Sequence, residues 1–274
     1  SQGAVIADLE QYNLGVLVVL RSDGTALYAV ADLALAVAKV KEERLDYSLY
    51  VVDVRQGQYF KQLFKLLELM GIQAGFAHLP YDFVTLPSGM MSSRSGNIIR
   101  YEELKDAALR KTIEETKKRH EDWSEEKVEA VANVLAFGAL KYEMIKVGGD
   151  KVITFEMDNA LRFEGNTAAY LQYTYARIMS MQRKAPASVT SAETDLKALD
   201  SDRDRKLVLY LGLFPQAVER AAAAYQPSEI AKYLFELGQL FNDYYHAMPI
   251  LNDASLALGT AHARLQLAQA VADV

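Results

Sequence analysis

The chain has 274 residues, of which 51% are apolar, and a net charge of −6. That length supports a sizeable core and two modest domains, while the negative balance argues against a protein that binds nucleic acid over its whole surface. Cysteine is absent, which excludes disulfides and thiolate metal sites and suits a reducing compartment.

The first hundred residues alternate in character. Residues 14–21 read as a strand closed by the turn Ser22-Asp23-Gly24-Thr25. Residues 26–41, rich in Ala, Leu and Val, read as a helix preceded by a short strand piece around Tyr28. The compact apolar run 48–54 has the form of a buried strand. Phe60, Leu63, Phe64, Leu67 and Met70 recur at helical spacing, and Gly71 follows as the residue that ends the helix. Residues 76–79 and 83–86 read as short strands. Strand and helix in this order predict a parallel α/β layer. Next comes GMMSSRSGNII, residues 89–99, three serines and one Arg between glycines. Its backbone N–H groups, its hydroxyls and Arg94 form a set that grips polyphosphate. It lacks the Gly-Lys-Ser/Thr of a Walker loop, and read alone it is equally a surface turn.

Beyond residue 101 the pattern is helical. Residues 102–118 and 124–137 read as helices, the second opened by the capping box Ser124-Glu125-Glu126-Lys127, with an acid expected at its third helical position. Gly148-Gly149 marks a break. Long helical stretches follow at 158–184, 207–225, 228–245 (capped by Ser228) and 254–274. No apolar run is long enough to span a bilayer, and the four histidines, His78, His120, His246 and His262, show no zinc-ligand spacing.

Two constellations carry chemistry. Tyr28 and Asp32 are four apart and share a helix face, and Gln56 follows the buried run. Strand ends of an open parallel sheet are where ligands bind. An Asp, a Tyr and a Gln there form a cup for a guanidinium; the alternative is a helix-start Asp beside a half-buried Tyr. Tyr170, Tyr173 and Arg177 form a helical stripe of the kind that stacks unpaired bases. Tyr244 and Tyr245 join either that surface or the core, the usual fate of such tyrosines.

Taken in order and spacing, these blocks resemble one family, the arginyl-tRNA synthetases of class I. SDGTALYAVADLALA (22–36), YVVDVRQGQYFKQLF (50–64), GMMSSRSGN, MDNALRFEGNTAAYLQYTYARI (157–178) and FNDYYHAMPIL (241–251) carry the resemblance over nearly the whole chain. It implies a partial Rossmann-type α/β domain over 1–100, with the family's KMSKS-like loop. A helical connection over 101–150 and an all-α anticodon-binding bundle of the DALR type over 151–274 follow. The tetrad reads Asn159-Ala160-Leu161-Arg162. The resemblance implies ligation of arginine to tRNA-Arg through an arginyl-adenylate, with ATP as co-substrate, Mg2+ expected with the ATP and no protein metal site. Tyr28, Asp32 and Gln56 would bind arginine. Met91, Ser92, Ser93 and Arg94 would close over ATP, with Met90 and Ser93 where the pattern has lysines. Tyr170, Tyr173, Arg177, Tyr244 and Tyr245 would contact tRNA.

The family's His-Ile-Gly-His-type signature is absent, so the expectation is a C-terminal fragment, truncated at both ends. It would lack the N-terminal domain and the first half of the catalytic domain. Such a fragment would be cytoplasmic, without membrane contact, inactive alone and prone to self-association, whereas full-length members are usually monomeric. The alternative is a non-catalytic, synthetase-like RNA-binding or interaction module.

Overall fold

The computed structural model describes residues 3–87, 99–251 and 255–274, so the loop residues Met91, Ser92, Ser93 and Arg94 lie outside the described residues. The chain divides into two compact units. The first runs to Phe83 and takes in Gly149–Lys151; the second comprises Val84–Gly148 and Val152–Val274.

In the first unit, β1 (Val5–Asp8) and β2 (Val16–Leu20) form an antiparallel hairpin. The turn after β2 is closed by Asp23, whose carboxylate accepts from the Thr25 N–H at 2.8 Å, while Gly24 takes the left-handed φ of +82° that the turn needs. Then come α1 (Tyr28–Glu42), β3 (Tyr47–Asp53), α2 (Gly57–Leu69) and β4 (Gly75–Tyr81). Strands β3 and β4 pair in parallel, Tyr50 opposite His78, the expected βαβ arrangement. Two expectations are corrected. Strand β2 joins β1 in a separate antiparallel pair instead of extending the parallel layer, because the chain reaches it through a tight connection too short for a crossover. And Tyr28 starts a helix; the bridging residue before it is Ala26, opposite Leu20.

Helix α2 buries Phe60, Leu63 and Leu67 against Ala36 of α1, with Tyr50, Val52 and Phe76 of the strands packed around them. Each such large side chain contributes about 1.5–3 kcal/mol. The Gln62 side chain, also buried, donates to the Leu14 carbonyl at 2.7 Å and ties α2 to the hairpin. Gly71, at φ +75°, returns its N–H to the Glu68 carbonyl at 3.0 Å and ends the helix as expected.

The second unit opens with β5 (Val84–Thr85), paired in parallel with β6 (Ile153–Thr154). Between them lie α3 (Tyr101–Arg119) and α4 (Glu125–Ile145). These pack through Ala108, Ala136 and Ala139, small residues that let the Thr112 hydroxyl reach the Ala132 carbonyl on the facing helix at 3.1 Å. Ser124 caps α4 by accepting from the Lys127 N–H. Only that half of a capping box forms, since the third helical position is Lys127 and carries no acceptor.

The long helix expected over 158–184 is broken into α5 (Met157–Ala160) and α6 (Ala168–Lys184). Between them Gly165 has φ +82°. The Thr167 hydroxyl accepts from the Tyr170 N–H and donates to the Arg162 carbonyl, closing the loop on the new helix start. After α7 (Ala187–Thr190), the stretch expected as one helix over 207–225 is two, α8 (Asp202–Leu211) and α9 (Phe214–Ala224). Pro215 has no N–H to continue α8 and suits the first turn of α9. Helix α10 (Pro227–Ala247) starts on Pro227, so its capping position is Gln226 and not Ser228; α11 (Leu258–Asp273) ends the chain. Ile178, Leu207, Leu237, Phe241, Tyr244, Leu265 and Val271 form the main core of this bundle. No helix among the described residues is long and apolar enough to cross a membrane.

Candidate functional site

In the first unit the candidate residues lie at the starts of two helices, Tyr28 and Asp32 in the first turns of α1 and Gln56 where β3 gives way to α2. Strand β3 ends at Asp53, whose carboxylate accepts from the Arg55 backbone N–H at 2.9 Å and pairs with the Arg55 guanidinium at 2.7 Å. Those hydrogen bonds hold the Asp53 pKa down to about 2. They fix a single tight turn, Val54–Gln56, that delivers Gln56 to the capping position of α2. Tyr28 stands at the first position of α1 and is 87% exposed. Asp32 lies one turn on, half-buried. A contact across the two helices joins this set: the Tyr59 hydroxyl, three residues after Gln56, donates to Asp32 Oδ2. Tyr59 is the residue that sequence reasoning missed. Its signal was its place one helical turn after Gln56, on the helix that faces Asp32. Burial, together with the hydrogen bond to Asp32, raises the Tyr59 pKa strongly, so the phenol remains a donor. Asp32 has no cation within 4 Å among the described residues. A half-buried carboxylate with one oxygen engaged and no paired cation is an acceptor suited to a cationic, multi-donor ligand.

In the second unit, α6 and α10 build a second cluster. The Arg177 guanidinium lies between two rings, 4.8 Å from the centre of Tyr173 and 4.7 Å from that of Tyr245. It donates to the side-chain oxygen of Asn242. The Asn242 amide in turn donates to the Tyr170 hydroxyl and to Thr174 Oγ1, each at 2.9 Å. Every polar group of Asn242 is therefore used, and it holds the stack in one arrangement. Asn242 was not anticipated; it lies 65 residues from Arg177, and only α6–α10 packing makes it a partner. Beside the stack is a cavity of about 640 Å³ lined by Tyr173, Arg177, Ser180, Lys184 and Tyr245 among others. Tyr173 is half exposed. It also borders a second cavity, where Arg119 lies 4.4 Å from the Phe163 ring centre.

Tyr244 does not share this surface. It is 2% exposed, and its hydroxyl donates to the fully buried Asp204 carboxylate at 2.7 Å. Asp204 also accepts from Ser201 at the start of α8. The physical reason is angular: neighbours on a helix point about 100° apart, so when Tyr245 faces the stack, Tyr244 faces the core. Among the described residues no group of His, Asp or Glu is arranged to hold a metal.

Comparison with known proteins divides the chain later than the two compact units do, between residues 154 and 171. The family described as tRNA synthetases class I (R), catalytic domain, matches residues 1–154, and the DALR anticodon binding domain matches 171–274. The chain is 42% identical to an arginine–tRNA ligase of Bdellovibrio bacteriovorus over 274 residues, covering 99% of this chain and 47% of that protein. To the arginine–tRNA ligase of Ligilactobacillus salivarius it is 35% identical, with the same coverage of each. Among solved structures, the Thermus thermophilus arginyl-tRNA synthetase superposes with a TM-score of 0.84 at 28% identity, covering 98% of this chain and 51% of that one. The chain thus spans about half the length of the relatives it matches.

Proposed function

The chain belongs to the class I arginyl-tRNA synthetase family, and from that premise we propose that it is the part of an arginine–tRNA ligase that holds the amino acid and reads the tRNA. The observation that carries the reading is the half-buried Asp32 carboxylate, which meets no cation among the described residues and accepts from Tyr59 in the first turn of the helix that Gln56 caps. Asp32 accepts the guanidinium of arginine, the exposed Tyr28 ring lies over it, and Gln56 supplies a further hydrogen bond. The reaction needs no side-chain nucleophile. The arginine carboxylate attacks the α-phosphate of ATP and pyrophosphate leaves; a ribose hydroxyl of tRNA-Arg then attacks the carbonyl of the resulting arginyl-adenylate, and AMP leaves as the ester forms. The protein's contribution is positioning and charge stabilisation. The loop Met91, Ser92, Ser93 and Arg94 serves ATP, whose Mg2+ arrives with the nucleotide, and Arg94 takes the role of the absent lysines.

In the second unit Tyr173, Arg177 and Tyr245 form the stacking platform for unpaired bases, and Tyr170 supports it through Asn242. Tyr244 contributes by holding the bundle. Since the ligase meets its tRNA and ATP in the cytoplasm, that is the compartment we assign.

The test is arginine-dependent ATP–pyrophosphate exchange with tRNA present. The full-length ligase carrying this chain exchanges, and Asp32→Ala abolishes the exchange at micromolar arginine. The 274 residues alone bind tRNA weakly and do not exchange. Robust exchange by these residues alone would sink the division of labour proposed here. Exchange unchanged by Asp32→Ala would remove the assigned role of Asp32.

A further inference from the structure

We propose that Tyr59 is a positioning residue for arginine, one that fixes the plane of the Asp32 carboxylate through its hydroxyl. The inference rests on the reading of Asp32 as the guanidinium acceptor and extends it to a residue that does not itself touch the ligand. A guanidinium presents two parallel N–H groups in a rigid fork, and a carboxylate meets both only when its plane is aligned with that fork. The terminal torsion of an Asp side chain is broad and soft, so something must hold it. In this molecule the Tyr59 hydroxyl donates to Oδ2 of Asp32. That bond takes one acceptor position of Oδ2 and leaves the other, together with all of Oδ1, for the two arms of the fork.

The donor is itself anchored. Tyr59 sits in the first turn of α2, its ring edge-on to Phe60 at 5.3 Å between centres. Phe60 and Leu63 of the same helix pack on Ala36 of α1, the helix that carries Asp32. Donor and acceptor therefore stand on two helices locked by one core. Gln56 caps α2 and Tyr59 lies in its first turn, so the helix start that presents one ligand group orients the other.

The experiment uses the full-length ligase carrying this chain, with Tyr59→Phe, Asp32→Asn and the double variant. The KM values for arginine and for ATP are measured separately by pyrophosphate exchange with tRNA present. A hydrogen bond to a charged group predicts that Tyr59→Phe raises the arginine KM roughly tenfold, with the ATP KM held within about twofold. The double variant is expected to be no worse than Asp32→Asn alone, since the hydroxyl then has no carboxylate to orient. An arginine KM unmoved by Tyr59→Phe, with Asp32→Asn severely impaired, overturns the positioning role and leaves the reading of Asp32 intact. A parallel rise in both KM values with a lowered melting temperature also overturns it, by making Tyr59 merely structural. If Asp32→Asn leaves the arginine KM unchanged, the underlying reading of Asp32 is what fails.

Discussion

At the scale of single residues, the two clusters differ in what fixes them. Arg177 is held by an amide and two rings, and Tyr173 has one face on that guanidinium and half its surface in solvent. Tyr173→Ala is expected to weaken tRNA binding by about 1–3 kcal/mol, the worth of one stacked base, with the unfolding midpoint nearly unchanged. A filter-binding titration beside a urea melt checks both halves. Tyr244→Phe should behave in the opposite way. It strips a donor from the buried Asp204 and should cost about 1–3 kcal/mol of stability while tRNA affinity, measured well below the unfolding midpoint, stays the same. Asp53 gives a pH signature. Its folded pKa of about 2 lies below its ordinary 3.8. Its contribution to stability is therefore complete above the unfolded value and is lost as pH falls through the folded value. The stability difference between the native chain and Asp53→Asn should be present at pH 5 to 7. It should close as the solution is acidified from about pH 4 to about pH 2, as followed by thermal melts.

At the scale of elements, close approaches decide where segments can lie. Gly149 donates no side chain, and a Cβ there would come 2.6 Å from the Pro80 carbonyl oxygen. Its own carbonyl accepts from the Asp82 N–H at 2.9 Å. This pins the returning segment Gly149–Lys151 to the end of β4. Two backbones in contact cannot yield as a side chain can, so Gly149→Ala is expected to destabilise the first unit by about 1–3 kcal/mol, read as an earlier urea transition. Most elements were legible in the sequence. The α2 helix was visible because its apolar residues keep a 3.6 period and Gly71 can take the positive φ that ends it. The breaks at 161–166 and at Gly212-Leu213 left only local marks, Gly165 and Pro215, which by themselves do not separate a break from a kink. At the first break tertiary bonds fix the loop, Lys146 Nζ to the Asn166 carbonyl at 3.1 Å and Tyr142 to the Asn166 side chain at 2.6 Å.

At the scale of the whole molecule, the first unit carries apolar residues in solvent. Val5, Ile6, Val16 and Val18 of the hairpin and Leu49 and Val51 of β3 are all more than a third exposed. Exposed apolar strands pair with others of their kind. The 274 residues expressed alone are expected to self-associate, with light scattering showing mass that rises with concentration; a monodisperse monomer across that range would count against this.

The order of strand and helix, the division into an α/β and a helical part, and the family were readable along the chain, because these rest on short-range periodicity and on spaced blocks. The same reading placed Tyr28, Asp32, Gln56, Tyr170, Tyr173 and Arg177 among the candidates. Which groups meet depends on the packing of elements far apart in the chain. Tyr59 reaches Asp32 across 27 residues of chain and Asn242 reaches Arg177 across 65. Tyr244 and Tyr245, adjacent in sequence, part to core and surface. The reason is that hydrogen bonds and ring contacts depend on distances between helices, which are set by how their buried faces pack and leave no trace in the spacing of residues along the chain.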